Sequence, residues 1–219
     1  MESALRDQAP EGLNVIETLR WDAAQAPSAA EERLRRHLRR CAATCARLAI
    51  PFDLRAARDA IDACGAPPLA RVRLTVDLAG RCAAVATPHV DLAPGAAWRV
   101  ALAPERLEAR DPWLQVKTSR RALYDAARAH LPDGVDEMLF ANGEGALCEG
   151  AITNLFVEDG RGLATPPLIC GLLPGVLREE LLESGGCREA MLRPVDLARA
   201  RAVFVGNALR GLIPAQLVD

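Results

Sequence analysis

The sequence predicts a mixed α/β (α+β) protein built from two domains. Three observations carry this expectation. Residues 71–78 alternate strictly, with Val72, Leu74, Val76 and Leu78 on one face and Arg73, Thr75 and Asp77 on the other, as a half-buried strand requires. Leu34, Leu38, Cys41, Cys45 and Leu48 recur at spacings of three and four, as the apolar stripe of a helix requires. Between residues 104 and 112 the chain turns charged and carries two prolines, which marks a linker. An N-terminal α/β domain is therefore expected over residues 1–105 and a second domain over 112–219. A chain of 219 residues is long enough to give each a core.

The elements follow in order. Residues 12–21 read as a strand entering the core through Val15, Ile16 and Leu19. Glu31 and Glu32 suit a helix start, and that helix ends before Pro51. A second helix is expected over 54–63. Ala79-Gly80 turns the alternating strand into a partner near 82–86, and residues 98–103 read as a further strand. Beyond the linker come a helix through Leu123, Ala126, Ala127 and His130 and a strand at 137–140. Asn142-Gly143 makes a turn, strands follow near 146–149 and 154–157, and Asp159-Gly160 turns into a strand at 163–165. Pro174-Gly175 precedes a helix at 176–183, and Val203, Phe204 and Val205 form a late buried strand.

Composition narrows the function classes. Half the residues are hydrophobic and 26% are charged, the profile of a soluble globular protein. No apolar run reaches the roughly 18 residues of a membrane span. The N-terminus has neither a basic nor an apolar leader region, so no signal peptide is expected. A net charge of −2 argues against a nucleic-acid partner. The seven cysteines are scattered, form no Cys-x-x-Cys pair, and lie among three distant histidines, His37, His89 and His130. Reduced thiols in a cytoplasmic protein with no metal site are the expectation.

One count says more. Of the 27 lysines and arginines, 26 are arginine and one is lysine, Lys117. Arginine replaces lysine wherever charge or hydrogen bonding suffices, but not where an amine must lose its proton and attack a carbonyl. Lys117 is thus a candidate Schiff-base nucleophile; the alternative is a chance survivor on a solvated face.

Six segments then read together: IETLRWD at 16–22, HLRRC at 37–41, VKTSRRALYDAAR around Lys117, LCEGAITNLF around Glu149, CGLLPGVLREELL around Val176, and VFVGNALRGLIPA around Asn207. In this order and spacing they resemble the class IV aminotransferase family, the fold-type IV pyridoxal 5′-phosphate (PLP) enzymes. The resemblance covers roughly residues 12–219. It implies a smaller N-terminal α/β domain, a C-terminal pseudo-barrel domain that binds PLP, the cofactor in the cleft between them, and a homodimer. It implies that Lys117 carries the cofactor as a Schiff base and then serves as general base. Glu149 aligns with the family's acid at the pyridine nitrogen, with Asn154 five residues on; a solvated hairpin glutamate is the alternative. The phosphate would lie at the backbone amides of Val176 and Leu177, at the turn of Asn207 and Ala208, and on Arg40. Arg40 shares its helix with Arg33, Arg35, Arg36 and Arg39, so a surface charge is its alternative.

Arg210 and Arg121 are candidates for a substrate carboxylate, with surface charge the alternative. Tyr124 is a further candidate for substrate binding: seven residues after Lys117, it would share a helix face with it; core packing or a capped surface hydroxyl is the alternative. His37 reads as structural and the cysteines as packing residues. Within the family, the compact form starting almost at IETLRWD looks like a 4-amino-4-deoxychorismate lyase, which makes 4-aminobenzoate and pyruvate in the folate pathway. The alternatives are an aminotransferase for branched-chain or D-amino acids and an inactive member serving as a binding subunit. The expected partner is a small amino-acid-like substrate.

Overall fold

A computed structural model describes residues 5–218. Residues 1–4, part of the stretch read as lacking a leader's features, lie outside them. The chain forms two compact units, one running to Asp91 and taking in Val116–Arg120, the other holding Leu92–Gln115 and the chain from Arg121 onward.

In the first unit, strands β1 (Asn14–Asp22), β2 (Leu69–Asp77) and β3 (Cys82–Pro88) form an antiparallel sheet in that order. The alternation read in β2 holds: Val72, Leu74 and Val76 are fully buried, while Arg71 and Arg73 are exposed. Helices α1 (Pro27–Arg47) and α2 (Leu54–Asp62) pack on the sheet, and Leu38, Cys41, Cys45 and Leu48 form the buried stripe. Helix α1 starts a turn earlier than its glutamates suggest. Proline at the first helical turn has its φ already set and its missing N–H costs nothing there. Glu31 instead pairs with Arg58 of α2 at 2.7 Å, and Glu32 with Arg35 and Arg36 at 2.7 and 3.0 Å. Asp53 caps α2 by accepting from the amides of Arg55 and Ala56.

Helix α1 ends in a Schellman arrangement, with Ile50 N donating to Cys45 O and Ala49 N to Ala46 O. Ala49 takes the left-handed position at φ 49° and is exposed. A side chain there is strained, and glycine removes the strain without losing packing. Ala49→Gly is therefore expected to raise stability by about 0.5–1 kcal/mol, read as a higher urea midpoint at unchanged slope.

The segment Val116–Arg120 lies along the edge of β1 opposite β2. Lys117 O accepts from Ile16 N at 2.9 Å, Thr118 bridges Val15, and Asn14 N donates to Ser119 Oγ at 2.9 Å.

The second unit is built on strands β4 (Trp98–Leu107), β5 (Glu137–Asn142), β6 (Leu147–Gly150), β7 (Asn154–Glu158), β8 (Leu163–Thr165), β9 (Arg188–Glu189), β10 (Ala202–Asn207) and β11 (Gly211–Leu217). They pair in the order β10-β11-β4-β5-β6-β7-β8-β9, and β10 pairs again with β7. That second pairing closes six strands into a barrel. Val100, Leu139, Leu147, Leu155, Val205 and Ile213, one from each of the six, join in one buried cluster that fills it. The neighbouring residues Met138 and Phe140 belong to a second cluster, with Ala101, Ala103 and Cys148, against which Tyr124 and Ala127 of α3 (Ala122–Ala129) pack. This two-sided burial explains why β5 is apolar almost without break. Helices α4 (Val176–Glu183) and α5 (Pro194–Arg199) complete the unit.

Two features depart from the sequence reading. Strand β4 runs on to Leu107, through the stretch expected to begin the linker. Pro104 falls in a break of the β4–β5 register between Leu102 and Arg106, where a missing N–H leaves no gap in the ladder. Lys117 lies outside α3, so it shares no helix face with Tyr124. Elements unread in the sequence are α5, β9 and β11. Among the described residues no helix is long and apolar enough to cross a membrane.

Candidate active site

The candidate residues fall into two constellations, one in each unit. In the first, Glu17 projects from the middle of β1 and is fully buried. Arg40, on α1, donates to it twice, Nε to Oε1 at 2.9 Å and Nη2 to Oε2 at 2.6 Å. His37, one turn earlier and also buried, brings Nδ1 to Oε2 at 2.8 Å. An ionised carboxylate can only accept, so Nδ1 carries the proton and Nε2, which has no partner among the described groups, is a bare acceptor. Burial pushes the Glu17 carboxyl up, but the Arg40 charge and the bonds from His37 and Arg40 outweigh it and hold it down at about 2. Burial pushes His37 below its usual range, and the charges of Arg40 and Lys117 add to that against Glu17. Lys117 is half-buried rather than on an open solvated face.

The second constellation centres on Glu149, at the end of β6 and buried. Tyr124 Oη donates to its Oε1 at 2.7 Å, and Leu173 N to its Oε2 at 3.0 Å. Burial, and then the Glu149 charge, push the Tyr124 phenol up, so it stays a donor. Its ring stands edge-on to Phe140, at 5.3 Å between centroids. Tyr124 thus both packs and orients the carboxylate. Cys148, beside Glu149, is buried, and burial above all pushes its thiol up to about 12, which suits packing rather than chemistry.

Asn154 pairs with Glu149 in the β6–β7 ladder and donates Nδ2 to Leu173 O at 3.1 Å. Gly175 caps α4 without a side chain, so the first-turn amides of Val176 and Leu177 have no partner within the helix. A Cβ on Gly175 would come within 1.8 Å of Asn154 Oδ1, and one on Gly206 within 2.9 Å of Leu177 Cδ2. The start of α4 is therefore pressed between Asn154 and the end of β10. There Asn207 Oδ1 accepts from the amides of Leu209 and Arg210 at 3.1 Å, a tight turn that also holds the buried Ala208. Glu149, Tyr124, Asn154, Val176, Leu177, Asn207 and Ala208 form one connected group. Arg121 has structural partners, with Nη2 on Ala151 O at 2.9 Å and Nε on Asp125 at 3.1 Å. The Arg210 guanidinium lies 5.6 Å from the Trp98 ring centroid.

Sequence reasoning passed over Glu17, although the signal was there: it shares strand parity with the core residues Val15 and Leu19. It also passed over Glu137, a charged residue opening an apolar run, for which composition gives no signal.

Comparison with known proteins bears on this group. The family described as amino-transferase class IV matches residues 14–218. A protein from Mesorhizobium loti provisionally named an amino-acid aminotransferase has 44% identity and a TM-score of 0.88, with 94% of this chain and 100% of that one covered. The 4-amino-4-deoxychorismate lyase of Pseudomonas aeruginosa has 25% identity and a TM-score of 0.79, over 94% and 83%. The aminodeoxychorismate lyase of Saccharomyces cerevisiae is 30% identical over 135 residues, which are 53% of this chain and 36% of the yeast protein. The match thus spans about a third of the yeast enzyme's length.

Proposed function

Because this chain belongs to the class IV aminotransferase family of PLP enzymes, we propose that it binds PLP through Lys117 and acts as a 4-amino-4-deoxychorismate lyase. The observation that carries the cofactor reading is Glu149, buried and held on both oxygens by Tyr124 and Leu173. A pyridine nitrogen stays protonated when such an acid faces it. The phosphate end fits as well. The uncapped start of α4 offers the amides of Val176 and Leu177, and the Asn207–Ala208 turn and Asn154 stand against it. When bound, the cofactor supplies an electron sink for charge left on the substrate's α-carbon.

The residues then divide the work. The Lys117 amine would hold the cofactor and, in its neutral form, would take the substrate's α-proton. Arg40, fixed by its two bonds to Glu17, is the arginine proposed for the phosphate. Tyr124 keeps the Glu149 carboxylate turned to one side. Of the two arginines considered for a substrate carboxylate, Arg121 is already engaged by Ala151 O and Asp125, so the proposal falls on Arg210. The two readings share α-proton removal and differ in product: a lyase would release enolpyruvate and an aromatic amine, an aminotransferase a 2-oxo acid. The lyase reading is supported by the yeast and Pseudomonas relatives. The aminotransferase reading is supported by the Mesorhizobium protein, matched over its whole length. The lyase reading includes a cytoplasmic homodimer that makes 4-aminobenzoate for folate synthesis.

Purified protein mixed with aminodeoxychorismate is expected to release 4-aminobenzoate and pyruvate in equal amounts, with no consumption of a 2-oxo acid. Conversion of bound cofactor to its pyridoxamine form by an amino acid, with no 4-aminobenzoate, replaces the lyase by the aminotransferase. A protein that takes up no PLP overturns both.

A further inference from the structure

Glu137 opens β5 and is fully buried, yet no step above uses it. Its carboxylate accepts four hydrogen bonds. Oε1 takes the amides of Met138 and Ala151 at 3.1 Å each; Oε2 takes the amide of Ile152 at 3.1 Å and Thr153 Oγ1 at 3.0 Å. Arg128 Nη1 stands 3.7 Å from Oε1. Three of the four donors belong to residues 151–153, the connection between Glu149 and Asn154. The rest of that connection is tied just as fully. Ala151 O accepts from Arg121, Ile152 O from Asn207 Nδ2 at 3.1 Å, and Thr153 O from Gly150 N at 2.8 Å. Gly150 has no room for a side chain: a Cβ would meet Thr153 Oγ1 at 2.3 Å and Glu137 at 3.0 Å.

We propose that Glu137 is a positioning residue that fixes the direction of the Glu149 carboxylate through the 151–153 connection. The inference rests on the PLP reading above. A carboxylate suits the place for a simple reason. Four donors converge on two oxygens, and a glutamine would turn its own donors against two of them. Burial pushes the Glu137 carboxyl up, and the Ile152 and Thr153 bonds and the Arg128 charge pull against that. The same connection carries the bond from Asn207, so one buried acid indexes Glu149, Asn154 and Asn207 together. A residue that only stabilised the barrel would have no reason to gather its bonds at the one loop these three share.

The test is Glu137→Gln, with Leu197→Ala as a control that loosens the barrel core through α5, away from the loop. Three measurements are made on each protein: hydrogen exchange without PLP, PLP affinity, and the pH midpoint of the visible band of bound PLP. Glu137→Gln is expected to speed exchange at Ala151 and Ile152 at least about tenfold while β10 stays protected. It is also expected to weaken PLP affinity about tenfold and to move the band's midpoint, which titrates the imine nitrogen and shifts with the charge held at the ring nitrogen. Leu197→Ala is expected to lower stability and leave the affinity and the midpoint in place. If Glu137→Gln does not fold, Thr153→Val, which removes one of the four bonds, carries the test and is expected to shift both in the same direction by less. An unchanged midpoint and affinity in a folded Glu137 or Thr153 variant overturns the proposal. Wild type that takes up no PLP overturns it together with the reading beneath it, and is recognised because the failure is wild type's own.

Discussion

Lys117→Arg is expected to lower turnover at least about a thousandfold while leaving the fold intact. The substitution keeps the positive charge and nearly the length. It removes only the capacity to lose a proton near neutral pH, because a guanidinium stays charged to above about pH 12. The backbone bond from Ile16 N to the carbonyl of residue 117 survives, as does the Thr118 bridge to Val15, so the segment stays on the edge of β1. Stability should change by less than about 1 kcal/mol, as for most substitutions away from a core. Borohydride treatment followed by mass spectrometry gives the clearest reading: cofactor mass is fixed to wild type and absent from the variant. An arginine variant that turns over at more than a tenth of the wild-type rate would remove Lys117 from the chemistry and leave its isolation among arginines an accident.

The second large effect is on stability. Glu17→Gln is expected to cost about 3–5 kcal/mol at pH 7, because it takes the carboxylate from Arg40 and His37 in a buried setting. The cost depends on pH, and its sign follows from the carboxyl being held at about 2 rather than 4.5. A carboxyl lowered by folding contributes its stability above its unfolded value. That contribution fades as pH falls from about 4.5 toward 2, and a shift of this size corresponds to about 3 kcal/mol. Wild type should therefore lose stability across that window, while Glu17→Gln, lacking the carboxylate, loses less. Urea unfolding of both proteins at pH 7 and pH 3 tests this. A gap between them as wide at pH 3 as at pH 7 would mean that the ion pair is not what stabilises this part of the unit.

What could be read beforehand, and what could not, follows from the kind of signal each part carries. Strand β2 and helix α1 bury one face and expose the other, so their periods are written in the residues. Strand β11 exposes most of its length and contains Pro214, and β4 carries Pro104 in a register break, so neither shows an uninterrupted period. Helix α5 is six residues long, too short for a stripe to repeat. The site divides in the same way. Lys117 stands out by composition, and the segments around Glu149, Val176 and Asn207 by likeness. Glu17 acts through bonds to residues 20 or more positions away, and three of the four bonds to Glu137 come from residues 14 or more away; only folded geometry reveals such pairings. Tyr124 meets Glu149 because α3 packs over β5, not because of its spacing from Lys117.

The closure of the barrel by β10 against β7 has a consequence for the order in which the second unit is made. Strand β7 is synthesised more than 40 residues before its partner, and β4 waits for β11 longer still. Until residues 202–217 leave the ribosome, both strands keep an open edge, and the apolar residues meant for the barrel interior have no lid of backbone over them. The last strands to emerge are thus the ones that seal the unit. A nascent chain arrested before Ala202 should depend on chaperones far more than one in which Leu217 has cleared the ribosome.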